Sequence, residues 1–247
     1  MNSVREVIRR NRRRAQEQVR QASLVLPGDR SRPNNIDLHE VTSVVVLQFG
    51  KVGSCTLRDT FRDLGKKVTH THWIGDPSLD APGHTLVVTP VQLLPDRNLS
   101  SFFQNARNKT HPLFYMGDSY NSLTAMVERY RNVAERYFEH CEFESWFSEY
   151  NARMGVNVLA GSFDKELGYK VVRAGNRSIV LMRFEDIGRW PDILSKLFGR
   201  NIQLTCSNVT SEKPNYSIYK AMQRMDLISS ELKERMAAVD FVRFFYG

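Results

Sequence analysis

Apolar and polar positions along the chain follow two periods, one of two residues and one of three to four. Ser43-Val44-Val45-Val46-Leu47-Gln48-Phe49 is a short β-branched and apolar run and predicts a buried strand. Beyond Gly50-Lys51-Val52-Gly53-Ser54, apolar side chains recur at Leu57, Phe61 and Leu64, a helical spacing over residues 55–64 that Gly65 closes. Residues 67–73 predict a second strand in which His70 and His72 alternate with threonines and so share a face. Thr85-Leu86-Val87-Val88-Thr89 predicts a third, with Pro90 and Pro95 punctuating the loop after it. A helix is expected from about Arg97, with a serine hydroxyl available near its start.

The middle of the chain reads as helical. Met126, Tyr130, Val133 and Tyr137 form an apolar stripe better suited to a core than to a cofactor, and Trp146-Phe147 begins the next segment. Residues 156–159 predict a short strand. Residues 170–183 predict a hairpin around Gly175-Asn176, and Ile193, Leu194 and Leu197 lie on a helix that ends at Gly199. Strands alternating with helices imply an α/β fold, three layers about a central, mainly parallel sheet with right-handed crossovers. In such a fold ligands sit beyond the carboxyl ends of the strands.

Composition narrows the class. At 247 residues with 41% hydrophobic and 25% charged side chains, the chain can bury a sizeable core and is expected to be soluble and globular. It has no apolar run of membrane-spanning length and no apolar secretory core near Met1. Cys55, Cys141 and Cys206 are odd in number and widely spaced, which argues against a disulfide framework or a zinc site, so a cytoplasmic location is expected. The net charge of +8 is uneven, with seven arginines against two glutamates in the first twenty residues. Residues 1–35, broken by Pro27-Gly28 and Arg32-Pro33, read as a basic arm and linker before a domain over 36–247. The arm could touch anionic lipid, nucleic acid or an acidic partner. Its apolar face is thin and lacks Trp or Phe, so a solvated helix is the preferred reading.

The chemistry concentrates at the first strand–helix turn. A glycine-bearing turn into a helix aims backbone N–H groups at one point, and the helix N-terminus adds partial positive charge, which suits a phosphate or sulfate group. The nucleoside triphosphatase order G-x-x-x-x-G-K-[ST] is absent, because Lys51 precedes Gly53. His70 and His72 on one face could bind a metal or move a proton, but no carboxylate or cysteine lies near them at ligand spacing.

Lys51-x-Gly53-Ser54-x-Thr56 after a first strand resembles the 5′-phosphosulfate loop of sulfotransferases that use 3′-phosphoadenosine 5′-phosphosulfate (PAPS). Within that group, Arg97-Asn98-Leu99-Ser100-Ser101-Phe102-Phe103-Gln104-Asn105 resembles the bacterial proteins labelled for capsular polysaccharide synthesis. Further resemblances follow in order: Trp146-Phe147, Phe163-Asp164-Lys165-Glu166, Arg183-x-Glu185-Asp186, Asn208 to Ser217, and Phe241 to Tyr246. They span about residues 43–247. One departure stands out, since Gln92 occupies the position of the family's first arginine, a ligand of the donor's 3′-phosphate.

The resemblance implies a P-loop-type, sulfotransferase-like fold and sulfuryl transfer from PAPS to a hydroxyl on a small-molecule or glycan acceptor. The amides of Val52, Gly53, Ser54, Cys55 and Thr56, with the Ser54 and Thr56 hydroxyls, would hold the 5′-phosphate. Lys51 would neutralise the leaving oxygen, Arg97 and Ser100 would meet the 3′-phosphate, and His70 or His72 would be the general base. A sulfuryl group carries less charge than a phosphoryl group, so no metal is expected. No specific nucleic-acid partner is expected, a peripheral membrane or other anionic contact is left to the arm, and the oligomeric state stays open. The alternatives are a non-catalytic nucleotide- or anion-binding protein on the same fold and a nucleotide-dependent phosphotransferase.

Overall fold

A computed structural model describes residues 35–141, 143–205 and 215–247. The basic arm up to residue 34, Cys206 and residues 208–214 lie outside these residues. Five strands form one sheet: β1 (Val41–Leu47), β2 (Val68–Thr71), β3 (His84–Val91), β4 (Tyr169–Ala174) and β5 (Arg177–Arg183). Their order is β2-β1-β3-β5-β4. All neighbours are parallel except β4, which returns antiparallel on β5 through the Gly175-Asn176 turn. Eight α-helices are described around the sheet: α1 (Ser54–Asp63), α2 (Leu94–Asn105), α3 (Leu123–His140), α4 (Phe143–Met154), α5 (Trp190–Phe198), α6 (Tyr216–Gln223), α7 (Ser230–Ala237) and α8 (Asp240–Tyr246). Among the described residues no helix is long and apolar enough to cross a membrane.

The three central strands β1, β3 and β5 are largely buried because both faces of the sheet are covered there, while the edge strands β2 and β4 are more polar. Val44 and Val46 of β1, Leu86 and Val88 of β3, and Val180 and Met182 of β5 pack with Leu57 and Phe61 of α1 and with Trp190, Leu194 and Leu197 of α5. The alternate residues Val45, Leu47, Val87, Val91, Ile179 and Leu181 join a second core with α2, α3, α4, α6, α7 and α8. The Met126–Tyr130–Val133–Tyr137 stripe of α3 belongs to that core, as its spacing predicts. The helix after β1 and the helix after β3 thus cover opposite faces, which opens a crevice at the carboxyl ends of these two neighbouring strands.

Three elements differ from the sequence expectation. β3 runs through Pro90, which pairs with Met182 of β5. The pairing of β1 with β3 ends at Val46↔Val88, so the missing N–H of Pro90 faces no strand on that side and costs no ladder bond. Pro95 lies in the first turn of α2, where its absent N–H is harmless. α2 therefore begins before Arg97 and has no side-chain cap; instead the Glu185 carboxylate accepts the Leu93 N–H at 2.9 Å. Residues 156–159 form a turn, not a strand. Asn side chains satisfy its amides, with Val158 donating to Asn151 Oδ1 at 2.9 Å and Leu159 to Asn157 Oδ1 at 3.1 Å.

Candidate functional site

The turn from β1 into α1 is built from left-handed backbone. Gly50, Lys51 and Gly53 have φ of 105°, 61° and 72°. Two are glycines, as this region favours; Lys51 is one of two non-glycine residues there among those described. Close packing adds to the constraint at Gly53, where a Cβ would sit 2.9 Å from the Phe184 ring. The turn delivers the chain into α1 with no side-chain cap and no acidic residue in its first turn. The Thr56 N–H turns back to the Gly53 carbonyl at 3.1 Å; the orphan amides ahead of it are left for a ligand, and the helix dipole favours an anion there. Ser54 and Thr56 are buried, while Lys51, Gly53 and Cys55 are half-exposed.

β2 pairs with β1 in the register Val46↔His70 and Leu47↔Thr71, so both histidines stand beside this turn. Gln48, the polar residue that ends the apolar run of β1, is 2% exposed and joins the two parts. Its Oε1 accepts the Gly50 N–H at 2.8 Å. Its Nε2 lies 3.2 Å from His70 Nε2 and 3.1 Å from His72 Nδ1. His70 Nε2 is also 2.9 Å from Ser54 Oγ. Because the Gly50 donor requires an acceptor, the Gln48 amide is oriented with its NH2 toward the imidazoles. Each ring then offers an unprotonated nitrogen to it.

Electrostatics point the same way. Burial pushes the pKa of His70 below its ordinary value, helped by His72 and Arg58. His72 reaches solvent, yet partial loss of water around the ring lowers it as well, opposed by a hydrogen bond that the ring donates to the Gln48 backbone carbonyl and reinforced by the charges of Lys51 and Arg97. Both rings are therefore neutral near pH 7, the state that accepts a proton. Among the described residues, no three His, Cys, Asp or Glu side chains gather as a metal-binding group.

Arg97 and Ser100 lie on α2, and each has a protein partner. The Arg97 guanidinium is buried against the rings of Phe49, Tyr137 and Phe143. It donates from Nη2 to the Phe49 carbonyl at 3.1 Å, from Nε to the Gly50 carbonyl at 3.4 Å, and from Nη1 to Tyr137 Oη at 2.9 Å and Asn98 Oδ1 at 3.1 Å. The site thus uses Arg97 to hold the turn from behind. Ser100 lies beside the Tyr219 hydroxyl of α6. Gln92 is buried at the end of β3, and its Oε1 has no hydrogen-bond partner. It borders a cavity of about 20 Å³ between the carboxyl ends of β1 and β3, shared with Gly50, Val52, Arg97 and Phe143.

The structure thus brings Lys51 to Thr56, His70 and His72 to one edge, as the strand pattern predicts. Gln48 and Tyr137 were not legible as site residues. For Gln48 the available signal was a polar side chain closing an apolar strand; for Tyr137 there was none, since it lies in a core stripe. No protein-family model matches the chain, and neither does any curated protein or solved structure.

Proposed function

We propose that the chain transfers a sulfuryl group from a nucleotide phosphosulfate to an acceptor hydroxyl, on a P-loop-type, sulfotransferase-like fold. The observation that carries this reading is one edge holding an uncapped, acid-free helix start, reached through a left-handed turn, beside two neutral imidazoles. The 5′-phosphosulfate end of such a donor fits this edge. The donor supplies an activated sulfuryl group; positioning and electrostatics are what the protein adds.

In this reading the amides of Val52 to Cys55 hold the 5′-phosphate, and the Ser54 and Thr56 hydroxyls border it, the Thr56 amide being taken by the Gly53 carbonyl. Lys51 places its ammonium where negative charge grows on the oxygen that leaves with the nucleotide. His70 orients Ser54 through their 2.9 Å contact. His72 is the more exposed ring and is assigned as the base that takes the acceptor proton. Gln48 keeps both rings in the accepting state.

The test is a thermal-shift panel of adenosine 3′,5′-bisphosphate, adenosine 5′-monophosphate, ATP with Mg²⁺, and heparin, followed by transfer of labelled sulfate. Stabilisation by either adenosine phosphate without Mg²⁺, together with label transfer that Lys51→Ala slows by roughly 10²–10³, is the expected result. Stabilisation by ATP only with Mg²⁺ would favour a phosphotransferase. Nucleotide binding without any transfer would favour a non-catalytic binding protein.

A further inference from the structure

The crevice at the carboxyl ends of β1 and β3 is apolar where it meets the turn. Phe49, Val52, Val91, Leu94, Phe143 and Trp146 line it, and of these only Phe49 is not buried. The polar groups around it are engaged or turned away. Arg97 gives its hydrogen bonds to the Phe49 and Gly50 carbonyls, to Tyr137 and to Asn98. Thr89 Oγ1 lies 2.9 Å from Tyr150 Oη, and the Gly50 N–H is taken by Gln48 Oε1 at 2.8 Å. Gln92 Oε1 is buried. The wall that faces the crevice is carbon.

Such a wall selects what enters. A sugar ring carries hydroxyls around its edge, and each one pressed against carbon loses water and gains no partner. A hydrocarbon body gains by leaving water. A flat ring also meets aromatic neighbours at the mouth, where the Phe49 ring lies 4.7 Å from Phe143 and 5.7 Å from Trp146 between centroids. Position ties the crevice to the chemistry. Gly50 and Val52 border it and belong to the turn. Gly50 also lies against the ring assigned as the base, since a Cβ placed on it would stand 4.0 Å from His72 Cε1. The crevice, the turn and His72 therefore meet at one residue.

We infer that the acceptor is a hydroxyl carried on a hydrocarbon body, a phenol or a simple alcohol and not a sugar, and that the body seats in this crevice with its hydroxyl at the Gly50 edge. The inference rests on the sulfuryl-transfer reading and deepens it by naming the class of acceptor. In the step, the acceptor oxygen forms its bond to sulfur as the bond from sulfur to the bridging oxygen of the nucleotide breaks. That oxygen leaves with the electron pair beside Lys51, and the acceptor proton passes to His72. The products are a sulfate ester and the nucleotide 5′-phosphate.

Transfer of labelled sulfate from a nucleotide phosphosulfate by the full chain tests this with three acceptors: 2-naphthol, 1-hexanol and methyl glucoside. The better of the first two is expected to exceed methyl glucoside in kcat/KM by at least about 100-fold, the effect of two or more hydroxyls left unpaired. The ratio between those two then tells a ring from a chain. Val91→Thr keeps the shape of the wall and adds a hydroxyl to it. It should raise KM for the hydrocarbon acceptor by about five- to ten-fold and leave nucleotide affinity in place. Phe49→Leu, at the half-exposed mouth, gives a second variant with the same expected direction. Use of methyl glucoside equal to that of the other two would overturn the inference and leave the sulfuryl-transfer reading standing. So would acceptor KM values that neither variant moves. Transfer to none of the three would also overturn it. In that case calorimetry with adenosine 3′,5′-bisphosphate decides the wider reading, whose donor site stands if the nucleotide binds and falls if it does not.

Discussion

Gln48 accepts the amide hydrogen of Gly50 at 2.8 Å, and this bond decides which end of the Gln48 side chain meets the histidines. The donor end faces His70 and His72, so the turn's backbone and the protonation of both rings are linked through one buried amide. Gln48→Glu would keep the acceptor for Gly50 and place a carboxylate against the imidazoles. An opposite charge at that range raises a histidine pKa by roughly 1–3 pH units. The acid limb of the rate profile should move up accordingly, and NMR titration of the two rings should show the same rise. Ring titrations unchanged by Gln48→Glu would refute the link.

Lys51→Ala should lower turnover by roughly 10²–10³, the usual loss when one electrostatic contact to developing charge is removed. Donor affinity should change much less, because the amides at the start of α1 remain. Single-turnover kinetics beside calorimetry separate the two. A large loss of binding with unchanged turnover of the bound donor would instead make Lys51 a ground-state ligand.

His72→Ala should cut turnover by roughly 10²–10⁴ and abolish the acid limb. His70→Ala should act mainly through Ser54, weakening donor binding while an acid limb persists. If His70→Ala alone erases the acid limb, the two roles are exchanged.

The same shifts make a stability prediction. Both histidines have folded pKa values below the ordinary 6.5, so between the two values the unfolded chain binds more protons. Their contribution is complete above about pH 6.5 and declines as the pH falls below it through the lowered folded values. Melting temperature should fall with acidification over that window, and the slope should flatten when both rings are replaced by Asn. An equal slope in the double variant would place the responsible groups elsewhere.

Arg97→Lys should destabilise the fold nearly as much as Arg97→Ala, by at least about 2 kcal/mol in denaturant titration. One ammonium cannot span the Phe49 and Gly50 carbonyls and the Tyr137 hydroxyl as a planar guanidinium does. Stability retained in Arg97→Lys would mean that charge alone, not the forked geometry, holds the turn.

The sequence by itself determined the elements that local periodicity encodes. Val44 to Leu47, Leu86 to Val88 and Ile179 to Met182 announce buried strands, Leu57 and Phe61 place α1, and Gly175-Asn176 places the hairpin. The turn at Gly50 to Ser54 and the shared face of His70 and His72 were legible for the same reason, since each depends on neighbours a few residues away. Tertiary structure decided what joins these pieces. The bond from Arg97 to Phe49 spans 48 residues, the contact of Gln48 with His72 spans 24, and the Glu185 carboxylate that receives the Leu93 amide is 92 residues distant. Pro90 reads as a strand breaker until the sheet shows that β1 has already ended beside it. A side chain's period reports the face it occupies, not which distant group shares that face. Only the packed sheet turned Arg97 inward to the turn and left Gln92 with a buried, unpaired oxygen.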